Sequence, residues 1–475
     1  MGTRREGTVL IAVFRHHVSV YALLAVISDI LLAFLGVLLA AWTVSAHDGH
    51  GLDDLSREMG VVEIAVAFAA LTSLTYACFG IYRRSPKSPV SKLARILLAL
   101  PIVGYLSYLA LRLIVDNESA ALLTCVTLIY LAAGLLLSRA GARYFERWSR
   151  PNRVLVVGTG PEASTLAREM KQYARSACQI VGYYPTSTCD AENHVCGLHN
   201  VFPHGALLTE LVERHDVDEV IVAVNDQRGG GIPMDQLLAC RTVGVRVLDL
   251  AGFYERTRSE VPIDSLKASW LIYGHGFVQG RARRLVKRGF DIIGSSLLLL
   301  AALPVLSVAM ILIALDSPGP VIYRQERVGY RGRKFMCLKL RSMRTDAESD
   351  GIERWASTDD PRVTRIGKFI RKTRIDELPQ LISVLRGEMS LVGPRPERPS
   401  FVVDLTNKIP FYDVRHCIKP GLTGWAQVRY CYGASVEDSK RKHQFDLYYV
   451  KNNSLFLDLL ILIETVSVVL LREGQ

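Results

Sequence analysis

No Cys-x-x-Cys pair occurs in the sequence: its nine cysteines, Cys78, Cys125, Cys178, Cys189, Cys196, Cys240, Cys337, Cys417 and Cys431, are scattered. That excludes a zinc ribbon and a thioredoxin-type motif, and thiols without paired spacings read as reduced and cytosol-facing. Residues 1–280 also lack any charge surplus, with 25 Lys+Arg against 25 Asp+Glu. Residues 281–475 hold 32 against 21, so the whole formal +11 lies there. A basic segment of this kind favours anionic lipid heads, phosphates or nucleic acid. With 49% apolar and 22% charged residues and 36 Gly and 19 Pro in 475, a disordered or collagen-like chain is excluded. The mean hydropathy of +0.20 fits a hydrophobic part joined to a water-soluble part.

Four apolar runs, residues 18–44, 61–81, 93–115 and 120–137, are each near the ~20 residues that cross a hydrocarbon core. The first is too long, and lacks the small-residue cleavage signature, for a removable signal peptide, so it is expected to stay as an anchor. Arg4, Arg5 and Arg15 precede it; Arg83, Arg84, Lys87, Lys92 and Arg95 follow the second run, and Arg139, Arg143, Arg147 and Arg150 follow the fourth. The other loops carry Asp48, Asp53, Asp54, Glu58, Asp116 and Glu118. Basic flanks stay inside, which predicts a cytoplasmic N-terminus and a cytoplasmic location for everything after Arg150. Asp29, within the first run, is expected to face neighbouring helices.

A fifth apolar stretch, residues 290–315, is basic on both flanks and has Pro304 at its middle. Both flanks cannot be inside if it crosses, and proline removes a helical hydrogen bond. The expectation is a re-entrant helix that turns near Leu303-Pro304. The rival, a plain fifth span, would put everything after it outside the cell.

Residues 151–250 read as a Rossmann-like α/β domain, with strands at 153–158, 180–184, 217–224 and 243–248 alternating with helices. Gly158, Gly160 and Ala163 match a dinucleotide fingerprint. The acidic ribose partner expected after the second strand is replaced by Pro185-Thr-Ser, and the domain itself holds no Tyr-x-x-x-Lys. A structural or regulatory fold is the preferred reading, with bound NAD as the alternative. Residues 251–280, with Pro262, Gly274, Gly276 and Gly280, read as a linker.

The chemistry concentrates in residues 360–396. Leu378, Leu381, Ile382 and Leu385 repeat at helical spacing, and Pro379 suits a first turn, which predicts Asp376 and Glu377 at a helix N-terminus. Arg371, Lys372 and Arg374 lie just upstream. Free N–H groups and these cations would keep a carboxylate ionised as a nucleophile or hold a phosphate, and an adjacent acid could hold Mg²⁺. An acidic cap beside a solvated basic stretch is the bland alternative. Lys339, Arg341 and Arg344 follow a probable strand. Arg395, between Pro394 and Pro396, is rigidly presented for a phosphate. Trp425 and Gln427 lie in a turn-rich stretch suited to a nucleoside pocket, and Asp446 is a further acid without an obvious structural duty. Residues 455–471, interrupted by Asp458 and Glu464, suit an interfacial or packed helix better than a span.

Six motifs follow one another within the basic segment. They are Lys287-Arg288-Gly-Phe-Asp291, Pro318-Gly-Pro320 with Arg324-Gln-Glu-Arg327-Val-Gly329, Lys339-Leu-Arg341-Ser-Met343, Asp376-Glu377-Leu-Pro-Gln380, Gly387 through Pro396, and Lys419-Pro-Gly-Leu-Thr-Gly424-Trp-Ala-Gln427. Together they resemble the bacterial sugar transferases, the polyisoprenyl-phosphate hexose-1-phosphate transferases with a monotopic catalytic domain. The four spans and the Rossmann-like domain are similar to the large members that initiate exopolysaccharide or O-antigen synthesis.

The resemblance implies transfer of a hexose 1-phosphate from a UDP-sugar to undecaprenyl phosphate at the bacterial inner membrane, with release of UMP and no nucleic acid partner. Asp376 then resembles the nucleophile that forms a covalent phosphosugar, and Glu377 the Mg²⁺ ligand. Lys339, Arg341, Arg371, Pro394, Arg395, Pro396, Gln427 and Asp446 match positions around the substrate. The re-entrant helix is also a family trait, usually broken at Ser-Pro; Leu303 here replaces the serine.

The expected architecture is thus an α-helical membrane region (1–150), a Rossmann-like domain (151–250), a linker (251–280) and an α+β monotopic domain (281–475). Everything before Arg281 is expected to act as a scaffold, a homodimer-forming element or a regulator. Two other functions stay open: an NAD-dependent membrane nucleotide-sugar dehydratase or epimerase, and a non-catalytic scaffold of polysaccharide assembly. The intact Asp376-Glu377 pair argues against the second.

Overall fold

The computed structural model describes residues 10–13, 16–48, 60–82, 89–113, 117–148, 151–173, 178–186, 200–224, 232–264, 266, 268–273, 276–277, 279–345, 347, 360–430, 433 and 435–470. Cys189, Cys196, Cys431 and the loop charges Arg4, Arg5, Arg15, Asp53, Asp54, Glu58, Arg83, Arg84, Lys87, Asp116 and Arg150 lie outside them. Two compact units divide between Thr257 and Arg258, and the second also takes in His16.

After strand Leu10–Val13 the first unit has four long helices, Val20–Asp48, Val61–Cys78, Pro89–Leu111 and Asn117–Trp148, and each contains a stretch long and apolar enough to cross a membrane. Hydrocarbon offers no partner to a backbone N–H, so an apolar run in it must close its hydrogen bonds internally as helix. Hydroxyls do the same: Ser45 bonds the Ala41 carbonyl, Thr72 that of Phe68, and Thr124 that of Ala120. Small residues line the interior (Ala33, Ala40, Ala65, Ala99, Ala120), while Leu31, Leu35, Trp42, Val66 and Ile129 face outward. That is how helices pack when burying apolar surface gains nothing against lipid. Asp29 is buried among these helices and pairs with Arg139 at 2.6 Å, as its expected inward orientation requires.

The same unit contains a four-stranded parallel sheet in the order Cys178–Tyr184, Asn152–Val157, Glu219–Val222, Arg246–Asp249. Val154, Leu155, Val156, Val220 and Ile221 are fully buried, the continuous apolar pattern of a strand covered on both faces. At the Gly158-x-Gly160 turn, a Cβ on Gly158 would lie 2.7 Å from the Ala223 carbonyl oxygen, so this glycine serves strand packing. The Glu162 carboxylate reaches within 3.3 Å of where a Gly160 Cβ would be. The expected linker begins as structure: helix Leu250–Arg258 buries Ala251, Phe253 and Tyr254, the last two in the core with the sheet. Phe253 and Tyr254 supply the apolar area that the Gly and Pro count after residue 260 obscured. Beyond it, Val261 and Ile263 belong to the core of the second unit.

The second unit starts with helix Arg281–Asp316, 36 residues with Pro304 inside. Ser307, three residues after Pro304, donates its hydroxyl to the Leu303 carbonyl at 2.9 Å. An antiparallel hairpin follows, Ile322–Val328 with Lys334–Leu340. Two short strands, Ser390–Val392 and Gly421–Thr423, pair in parallel. The core gathers Leu381, Val384, Leu391, Trp425, Tyr448, Tyr449 and Ile461. Helix Leu455–Leu470 packs on it through Leu457 and Ile461, with Asp458 and Glu464 buried and paired to Lys287 and Arg429. It is a packed helix, as its interrupted hydropathy suggests.

Candidate active site

Asp376 and Glu377 lie on a 3₁₀ turn, Ile375–Glu377, between helices Arg365–Lys372 and Gln380–Arg386. They are one turn short of the helix N-terminus that the spacing predicted. The cause is Arg374, whose left-handed φ of 60° ends the preceding helix and redirects the chain. Both acids are 7% exposed.

Glu377 is enclosed by cations. Its Oε1 accepts from Lys339 Nζ at 2.9 Å and from Arg395 Nη2 at 2.6 Å, and Arg374 Nη1 lies 3.9 Å from Oε2. Burial pushes its carboxyl up, but Arg395, Lys339 and Arg374 outweigh burial and hold it well below the usual carboxylate range. Asp376 goes the other way: burial first and the Glu377 charge second push it up to about 6. At neutral pH both are therefore ionised. Asp376 Oδ1 is buried with no hydrogen-bond partner among the described residues.

Two motifs far apart in sequence set Arg395. Gly421 N donates to the Pro394 carbonyl, and Gly393 N to that of Thr423, both at 2.9 Å. A Cβ on Gly421 would collide with Gly393 N, so this approach requires glycine. The Pro396 carbonyl accepts from Arg327 Nη1 at 3.1 Å. Arg395 keeps 34% of its side chain exposed, open to an incoming anion.

The remaining expected site residues divide. From the basic stretch it is Arg374, not Arg371, that lies within 4 Å of Glu377. Arg341 is buried and donates to the Ser317 and Pro318 carbonyls, where it fastens the chain leaving the long helix. Gln427 donates to the Leu422 carbonyl at 3.3 Å and leaves Oε1 buried without a partner among the described residues. Trp425 is fully buried, donates to the Ser259 carbonyl at 2.8 Å and stacks on Tyr448, so it cannot serve as the nucleoside platform expected of it.

Asp446 proves to have a structural duty: it is 2% exposed and pairs with Arg415 at 2.9 Å. Burial pushes its carboxyl up to about 6, against Arg415. Arg415, between Val414 and His416, stands in no repeated spacing, and nothing in the sequence pattern joins it to Asp446.

Lys339, Arg374 and Arg395 against two carboxylates leave a net positive site with one buried, unpartnered anionic oxygen. Such a site can draw in a phosphate and attack it.

Residues 282–472 match the family described as bacterial sugar transferase. The chain is 40% identical over 257 residues to the UDP-N-acetylgalactosamine-undecaprenyl-phosphate N-acetylgalactosaminephosphotransferase of Aeromonas hydrophila, a match covering 54% of this chain and 60% of that one. It is 35% identical over 320 residues to the undecaprenyl-phosphate glucose phosphotransferase of Komagataeibacter xylinus, covering 66% and 58%. To the exopolysaccharide production protein PSS of Rhizobium leguminosarum bv. phaseoli it is 42% identical over 188 residues, 38% of this chain and 94% of that protein. The chain thus spans about three fifths of the first two relatives and nearly all of the third.

Proposed function

The chain belongs to the bacterial sugar transferase family, and on that premise we propose that it transfers a sugar 1-phosphate from a UDP-sugar to undecaprenyl phosphate, the first membrane step of exopolysaccharide or O-antigen synthesis. The observation that carries this reading is the unpartnered, buried Oδ1 of Asp376 beside a glutamate held by Lys339 and Arg395. An Asp376 oxygen attacks the sugar-bearing phosphorus, and the bond from that phosphorus to the bridging oxygen breaks. UMP leaves with the bridging oxygen, and the sugar phosphate stays on the aspartate. An undecaprenyl phosphate oxygen then attacks the same phosphorus, and the aspartate leaves as carboxylate. One site serves both substrates in turn.

Glu377 is the residue that would hold Mg²⁺. Among the described residues no cluster of three His, Cys, Asp or Glu forms a protein cage. Mg²⁺ needs none where one or two carboxylates and substrate phosphates supply its oxygens, so a single glutamate fits an ion arriving with its diphosphate. When bound, the ion would neutralise charge on the diphosphate. Lys339 and Arg395 keep Glu377 ionised for that role and present the positive field that orients the nucleotide.

The helix Arg281–Asp316 supports a re-entrant seat in the inner leaflet. Near its start, Arg288 donates to the Val384 and Leu385 carbonyls, and Asp291 accepts from Ser390 and the Leu391 amide. Near its end, Leu306, Ala309 and Ile313 pack on Leu340 and Ile370, and Arg341 bonds the Ser317 carbonyl. One globular unit holds both ends, as a helix that enters and returns on the cytoplasmic side would require. Leu297, Leu300, Leu303, Val308 and Ile311 are left exposed for lipid.

The test is Asp376→Asn in detergent with undecaprenyl phosphate and a panel of radiolabelled UDP-sugars. Loss of both UMP release and lipid-linked product is expected, and undiminished turnover would overturn the assignment.

A further inference from the structure

Residues 394–396 belong to no helix or strand, yet they carry the guanidinium that holds Glu377. Each of their three carbonyls is taken by a donor from elsewhere: Pro394 by Gly421 N, Arg395 by Arg415 Nη2 at 2.8 Å, and Pro396 by Arg327 Nη1. The Arg415 contact is the one made to Arg395 itself. Pro394 fixes its own φ, and Pro396 restricts Arg395 to extended conformations. Fastening the Arg395 carbonyl therefore removes most of the freedom left to that backbone.

Arg415 is 6% exposed and bound on three sides. Beyond the Arg395 carbonyl, Nη2 pairs with Asp446 of helix Val436–Asn452, and Nη1 donates to the hydroxyl of Tyr412, on the 3₁₀ segment Tyr412–Cys417 that also carries Arg415. A buried ion pair is a poor source of stability, because desolvation offsets the attraction and apolar residues of similar volume do as well or better. What a guanidinium adds is a rigid fork of donors with fixed directions. The fork here joins three segments at the residue that grips Glu377.

We propose that Arg415, oriented by Asp446, is a positioning residue that fixes the Arg395 backbone and through it the carboxylate of Glu377. Arg415 itself touches neither nucleotide nor lipid. This rests on the transferase reading and deepens it. Asp446 acts in the same way, through Arg415, and is not a substrate contact.

The test is a double-mutant cycle on UMP release by the full-length protein in detergent, with saturating Mg²⁺. Misplacing the clamp by a fraction of an ångström is expected to lower kcat about 100-fold in Arg415→Lys, with KM for the UDP-sugar little changed. In an Arg395→Ala background the same Arg415→Lys change is expected to cost nothing further, since the residue through which it acts is gone. A merely structural arginine would cost as much in either background, and that additive outcome would overturn the proposal. If Arg415→Lys melts below the assay temperature, the paired change Arg415→Met/Asp446→Leu, which leaves no orphaned buried charge, is read in the same cycle. Parental turnover by that folded pair would also overturn it. Failure of the parent protein to release UMP would count against the transferase reading instead.

Discussion

Asp376 and Glu377 are neighbours in the chain and equally buried, yet their carboxyls are displaced in opposite directions: Glu377 lies well below the usual range and Asp376 rises to about 6. Three cations converge on the glutamate, and the aspartate faces the glutamate's charge with one oxygen unpartnered. Environment gives two adjacent acids different work: one fixed and shielded, the other held ready to react.

The attacking form of Asp376 is ionised, and its folded pKa is raised, so the first half-reaction is expected to be full above pH 7 and to fall through an apparent pKa near 6. Below that pH the rate drops about tenfold per unit. Single-turnover UMP release between pH 4.5 and 8 measures this. A rate flat to pH 5 would show that the nucleophile is not a raised carboxyl.

Gly421→Ala is expected to cost about 3 kcal/mol or more, because its Cβ would fall on backbone rather than on a side chain that can turn away. Gly289→Ala, with nothing within 4 Å of the added carbon, should leave stability unchanged or raise it by up to about 1 kcal/mol. Thermal melts of the two variants in one detergent compare them directly.

Within the helical bundle, Arg139→Met strands the buried Asp29 carboxylate and is expected to lower stability by about 3–5 kcal/mol. Asp29→Leu/Arg139→Met, which removes both charges, should recover most of it. Equal losses in the single and double variants would mean the pair is incidental.

The re-entrant seat predicts that cysteines introduced at the exposed Arg284 and Arg331 report the same side of the membrane. In a background stripped of native cysteines, an impermeant maleimide should label both in inside-out vesicles and neither in intact cells. Labelling from opposite faces would make the helix a crossing.

The sequence disclosed the parts that local pattern controls. Hydropathy located the membrane helices, strand-helix alternation located the parallel sheet, and the adjacency of Asp376 and Glu377 with cations upstream pointed to the site. What it hid depends on contacts between distant segments or on one backbone angle. Arg371 and Arg374 look interchangeable in a basic run, and the left-handed φ of Arg374 decides which one lies near Glu377. Lys339 and Arg341 share a face by strand alternation, but the strand ends at Leu340 and Arg341 turns to the Ser317 carbonyl. Trp425 reads as a ligand-stacking aromatic until Tyr448 and Ser259 are found around it. Asp446 lacks an apparent duty because its partner, Arg415, sits on a separate segment, with nothing in the spacing to join them.

The proposed re-entrant seat, a helix gripped at both ends by its own unit, would give that unit its own mooring. Attachment to lipid would then survive loss of everything before Arg258, so the four front helices are surplus to tethering. Under that proposal, their task would be one other than keeping the catalyst at the bilayer.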